Sequence, residues 1–155
     1  LRDGGATVVV CPDADLGMGH SLATAARTAI ALHAPAAVLV LPADMPWLRT
    51  SSAAAVVAAL QRGMEAAADP DAAHASPDDA LAATGAATRI VVPHLPDGRR
   101  GHPVAFGRAH LAALASLAGE RGARTLLDVH PVVPVVVDDA GILRDVDTPS
   151  DLPPP

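Results

Sequence analysis

The chain contains no lysine and no tyrosine, one cysteine, one tryptophan and one phenylalanine. Each shortage closes off a kind of chemistry. Without an ammonium group there is no Schiff-base chemistry and no lysine to contact a phosphate, so every basic side chain is an arginine. With aromatic residues at 1%, stacking on nucleobases has almost no side chains to use, which argues against a single-strand nucleic-acid binder. Cys11 alone can form neither an internal disulfide nor a cysteine-based zinc cluster, and it suits a reducing compartment. Positive charge is short as well. Eleven basic residues against 17 acidic ones leave a net charge of -6, the wrong sign for a phosphate-backbone binder. No apolar run approaches the roughly 20 residues of a membrane span, and the opening residues lack the charged and apolar regions of a signal peptide. Composition therefore points to a soluble, cytoplasmic protein with neither nucleic acid nor membrane as partner.

What is present is a chain of 155 residues, 50% of them hydrophobic. That is enough to offset ordering entropy by burial, and its length suits one domain spanning 1–155 with a core of Ala, Val and Leu. The apolar pattern alternates between strand and helix. Residues 6–10 (ATVVV) read as a strand, 21–33 as a helix, 37–41 (AVLVL) as a strand buried on both faces, and 50–66 as a helix opened by Thr50 or Ser51. Residues 67–87 lose β-branched residues and read as a long mobile connection with a short helix near Ala80. Strands are expected at 89–92 and 104–106, helices at 108–118 and 121–130, and a proline-bearing edge or bulged strand at 132–137. A turn at 138–141 leads into a strand at 142–146, and TPSD (148–151) carries a helix-start signature. Strand and helix alternation of this kind predicts an α/β fold, three layers deep, with a mostly parallel sheet. The opening LRDGG resembles a helix end with a glycine cap, as though an earlier strand and helix were missing.

Four clusters rise above this background. Gly17, Met18, Gly19 and Ser21 form a glycine-bearing entry to a helix, where free N–H groups can meet a phosphate or a base edge; equally, the glycines turn the chain and Ser21 or His20 caps the helix. Asp44 lies just past the carboxyl end of a strand, where open α/β sheets place ligands, and a carboxylate there can hold Mg²⁺ against phosphates or simply close a turn. Arg99, Arg100, Gly101 and His102 read as a flexible anion clamp beside a rigid His-Pro step, or as a solvated turn. In the strand expected at 142–146, Asp145 and Asp147 share a face, and Asp147 can either meet Asp44 around a metal ion or cap the next helix.

These clusters, as GMGHSL (17–22), VLVLPADMP (38–46), GRRGHPVAF (98–106), GARTLL (122–127) and DVDTPSDL (145–152), resemble the MobA-like nucleotidyltransferase superfamily, most closely its molybdenum cofactor cytidylyltransferases. The resemblance implies a Rossmann-like fold of the nucleotide-diphospho-sugar transferase type. It also implies transfer of CMP from CTP to a molybdopterin-type phosphorylated acceptor, with release of pyrophosphate. By the same resemblance, Gly17 to Ser21 would lie at the base and ribose, Asp44 and Asp147 would be catalytic and hold Mg²⁺, and Arg99 to His102 would face the acceptor. A molybdoenzyme receiving the product is the further partner implied. The family's opening loop, LAAGxSxRMGxxK, and its lysine have no counterpart here, and Ala43 stands where glycine is frequent. The missing loop fits either a fragment or a degenerate member. A fragment is preferred because the acidic and glycine positions downstream are intact, and the chain alone is expected to bind nucleotide weakly without turnover. A related transferase using GTP or another acceptor, and a non-catalytic nucleotide-binding module, are the alternative readings.

Overall fold

A computed structural model describes residues 5–68 and 86–152 of the chain. Its four strands are β1 (Ala37–Val40), β2 (Ile90–His94), β3 (Val104–Gly107) and β4 (Val132–Val136), and they pair in the order β1-β3-β2-β4. Strands β1, β2 and β4 point the same way, as a mostly parallel sheet requires. The reversed strand β3, however, lies between β1 and β2, so two of the three ladders are antiparallel and only β2–β4 is parallel. Alternation sorts the apolar side chains by face. Across the ladders Phe106 stands between Val38 and Ile90, and Ala105 between Leu39 and Val91.

The helices divide accordingly. On one face α1 (Met18–His33), α3 (Leu111–Ala115) and α4 (Arg124–Val129) bring Leu22, Ala26, Leu111, Leu114 and Leu126 against Ile90, Val92, Val104 and Phe106. On the other, α2 (Thr50–Ala68) lays Val56, Ala59 and Leu60 over Val91 and Ala105. This is the expected α/β layering, and with Leu114, Ile90 and Phe106 fully buried each large side chain contributes about 1.5–3 kcal/mol. A third cluster of Leu95, Val137 and Ile142 closes the end of the sheet where β1, β2 and β4 finish.

Several expectations change. Residues 6–10 form no strand with any of the described residues, and Val8, Val9 and Val10 are 41%, 44% and 79% exposed; β-branched residues favour a strand, but a strand exists only where a neighbour accepts its ladder. For the same reason β1, at the sheet edge, is half-buried rather than buried on both faces, with Leu39 exposed. The strand expected at 142–146 is a 3₁₀ turn (Ala140–Leu143) followed by irregular chain. Helix α1 starts earlier than expected, at Met18, and ends at left-handed Ala34 before Pro35. The helix expected at 108–118 is a 3₁₀ turn (Arg108–His110) running into the short α3. The proline-bearing strand is an edge strand as expected, with Pro134 exposed on β4. Of the connection expected at 67–87, residues 69–85 lie outside the described residues, including the helix expected near Ala80. No described helix is long and apolar enough to cross a membrane.

Candidate functional site

The site is built at the end of the sheet where β1, β2 and β4 finish. Beyond β1 the chain turns through Asp44, whose side chain is exposed and whose carbonyl accepts the Val146 N–H at 2.9 Å. On the approach to β3, the His102 N–H donates to the Ile142 carbonyl at 2.9 Å, and the next peptide bond, His102–Pro103, is cis. Two motifs from the middle of the chain are thus fastened to one segment near its end. Gly101 is needed for this approach, since a Cβ there would lie 2.2 Å from the Ile142 carbonyl oxygen.

Burial pushes the His102 imidazole below its ordinary pKa, against the opposing effects of the Asp44 and Asp145 carboxylates and the Val40 carbonyl. The ring is therefore neutral at pH 7. Its Nδ1 is buried and, among the described residues, is the one buried side-chain polar atom without a hydrogen-bond partner, where such groups are ordinarily satisfied. The acidic groups that act on His102 are Asp44 and Asp145; Asp147 stands two residues on, exposed, in a bend outside any strand. Capping of the final turn falls to Asp151, which accepts the Thr148 N–H at 2.7 Å and the Thr148 hydroxyl at 2.8 Å. The Asp147 carboxylate takes no part in those bonds.

The two arginines separate. Arg99 is tied back to Asp97 through its Nε at 2.8 Å and its N–H at 3.0 Å, and those donors hold the Asp97 carboxyl below its usual range. Arg100 is exposed and sits across an antiparallel bridge from His94.

Around this centre lie contacts for which sequence reading assigned no role. Asp139 is 4% exposed and accepts hydrogen bonds from the Ser52 hydroxyl at 2.6 Å and from the Arg49 and Gly141 N–H groups, each at 2.9 Å. Burial by itself would raise its pKa, but those three bonds and the Arg49 guanidinium together hold it below the usual carboxylate range. The Arg144 guanidinium lies 4.0 Å from the Trp47 ring centroid. An Asp two residues before a Gly is an Asx-turn signal, the one local cue that pointed at Asp139.

The glycines of the first cluster have a packing role. Gly17 and Gly19 are buried against residues 118–120, where a Cβ would meet backbone at 2.5 and 2.6 Å, and the Gly19 N–H already donates to the Gly119 carbonyl at 2.8 Å. Of the four expected base and ribose contacts, Gly17 and Gly19 are packed at the junction of α1 with the turn after α3, while Met18 and Ser21 are exposed. Ser21 lines a groove of ≈ 530 Å³ between residues 7–11 and α1; Asp44, His102, Asp145 and Asp147 do not line it.

A family model described as "MobA-like NTP transferase domain" matches residues 1–135, ending before Asp139, Asp145 and Asp147. Two solved structures share the fold. A homologue of Mycobacterium tuberculosis Rv0371c, from Mycobacterium sp. strain JC1, is 24% identical with a TM-score of 0.58, over 94% of this chain and 57% of that one. Rv0371c from Mycobacterium tuberculosis H37Rv is also 24% identical, with a TM-score of 0.55 over 83% of this chain and 54% of that one. The chain thus spans little more than half the length of these structures. None of the curated proteins matches it.

Proposed function

This chain belongs to the MobA-like NTP transferase domain family, and from that premise we propose that it serves a nucleotidyl transfer, in which CMP moves from CTP to a molybdopterin-type phosphorylated acceptor and pyrophosphate leaves. The observation that supports this reading is the meeting of Asp44, His102 and Asp145, from three distant parts of the sequence, beyond the carboxyl ends of parallel strands, the place where open α/β sheets bind ligands.

The donor set suits a hard divalent cation. Asp44 and Asp147 offer exposed carboxylate oxygens, hard ligands that suit an ion such as Mg²⁺, which keeps waters and is shared with substrate phosphates. When bound to Asp44 and Asp147, the cation would neutralise charge developing on the α-phosphate and on departing pyrophosphate.

The other groups act on the acceptor. Arg100, exposed and without the Asp97 tie that holds Arg99, would contact its phosphate by charge-assisted hydrogen bonds. His102, held by its backbone bond to Ile142, would place this loop against the acceptor. The product would pass to a molybdoenzyme in the cytoplasm.

The test uses the product of the complete reading frame, offered each of the four NTPs with Mg²⁺ and molybdopterin, with pyrophosphate release and nucleotide attachment measured. Transfer from CTP that is lost in Asp44→Asn is the expected result. Transfer undiminished in that variant, or none with any NTP, refutes the reading.

A further inference from the structure

Asp139 is a buried acid that takes no part in the chemistry just described. Its carboxylate is bonded by Ser52 Oγ at 2.6 Å, by the Arg49 N–H at 2.9 Å and by the Gly141 N–H at 2.9 Å, with the Arg49 Nε at 3.9 Å. Two of these partners, Arg49 and Ser52, lie at the start of α2, so the anion also sits at the favourable end of that helix's dipole. The third is in its own turn. One buried side chain therefore joins the segment that follows Asp44 to the segment that precedes Asp145.

Residues 139–146 meet both the segment after β1 and the approach to β3. Gly141 lies so close to the Trp47 carbonyl oxygen that a Cβ would stand 2.2 Å from it. The Ile142 carbonyl receives the His102 N–H, Arg144 covers Trp47, and the Val146 N–H reaches the Asp44 carbonyl. Each of these contacts depends on where the turn sits relative to residues 44–52. The Asp139 carboxylate is the group that fastens the two with several short bonds.

We propose that Asp139 is a positioning residue, which sets the spacing of Asp44, His102 and Asp145 by locking the 139–146 turn to the start of α2. As a statement about cation and acceptor geometry, this rests on the reading given above; as a statement about the local fold it does not. Asp139→Asn keeps the size, removes the charge and turns one acceptor into a donor facing donors. The turn then loosens while the sheet, held by its own ladders and apolar layers, stays formed.

Amide hydrogen exchange on the intact chain separates this from a general structural role. In Asp139→Asn the amides of Val146 and His102 should exchange at least tenfold faster, beyond any change shared by the core amides of Val91 and Phe106. Mn²⁺ affinity, measured by electron paramagnetic resonance with the metal alone, should weaken about tenfold. Leu114→Ala, in the apolar cluster on α3, should accelerate the core amides without singling out Val146 and His102, and should leave Mn²⁺ affinity unchanged. Should Asp139→Asn fail to fold, Ser52→Ala removes one bond and keeps the charge, with a several-fold acceleration expected at the same two amides. Exchange at Val146 and His102 that only follows the core overturns the proposal, as does Mn²⁺ binding that depends on Asp44 and is indifferent to Asp139. If wild type binds Mn²⁺ without dependence on Asp44, the cation site falls, and the exchange result decides Asp139 on its own.

Discussion

Adding one methyl group at position 101 should disable the site while sparing the sheet. In Gly101→Ala the new Cβ would start 2.2 Å from the Ile142 carbonyl oxygen and 2.7 Å from its carbon, where ordinary contact begins at 3.4 Å. Neither side can give easily. Gly101 is held by its own N–H on the Pro93 carbonyl at 2.9 Å, and Ile142 is fully buried in the cluster that closes the sheet. The two backbones must separate by about 1 Å, which breaks the His102 N–H bond to Ile142. A lost buried hydrogen bond costs about 1 kcal/mol and overpacking against backbone about 1–3 kcal/mol. For a chain of this size the sum lowers Tm by roughly 5–15 °C, at about 2–4 °C per kcal/mol. Gly98→Ala is the comparison, because Gly98 has φ +86 but nothing within 4 Å of its Cβ; the left-handed conformation alone costs about 1–2 kcal/mol. Calorimetric melts of both variants, with acceptor affinity measured beside them, decide the matter. Equal Tm losses, or Gly101→Ala within 2 °C of wild type on the order of measurement scatter, would refute the argument from close approach.

Three other outcomes are expected. Asp44→Asn should lower turnover on the order of a hundredfold, the usual scale for one lost electrostatic contact in a transition state, with the unfolding midpoint unchanged because the side chain is exposed and its structural bond is made by the backbone; a turnover loss under threefold would remove Asp44 from the chemistry, on the order-of-magnitude scale of such contacts. Arg100→Ala should raise the acceptor's KM by about tenfold or more, the worth of a charge-assisted bond, while Arg99→Ala, whose guanidinium is already bonded to Asp97, should change it little; the reverse order of effects would mean that the Arg99–Asp97 pair opens on binding. Asp139, with its folded pKa below the unfolded value of about 3.9, contributes stability that is present above about pH 4 and lost as pH falls through the lowered value; urea midpoints from pH 7 to 2.5 should show that acid loss in wild type and less of it in Asp139→Asn, and parallel curves would contradict it.

Local pattern was enough to find most elements. The run AVLVL became β1, Val56 and Leu60 of the expected apolar spacing became, with Ala59, the packed face of α2, and Pro134 marked an edge strand, because side-chain period and proline's missing donor are properties of a few adjacent residues. The chemistry-bearing motifs were legible for a related reason: Asp44 and His102 sit where a strand ends or begins, and strand ends can be read locally. The sequence alone also decided what these 155 residues do not themselves supply, since they hold no lysine and no cysteine pair.

Pairing and proximity were decided elsewhere. Residues 6–10 carry as strong a strand pattern as β1, yet among the described residues only β1 has a neighbour to complete its hydrogen bonds, and no local property reports whether a neighbour exists. Gly17 and Gly19 read locally either as a ligand loop or as a turn into a helix, and only the fold shows that the backbone of residues 118–120, a hundred positions away, lies where a Cβ at either position would stand. Asp139 shows the same limit from the other side. Its neighbours in sequence give it one turn bond to Gly141, whereas its burial and its bonds to Arg49 and Ser52 arise because β4 delivers it beside the start of α2. A carboxylate's role follows from which donors surround it, and here the packed layers, through the order β1-β3-β2-β4, chose those donors.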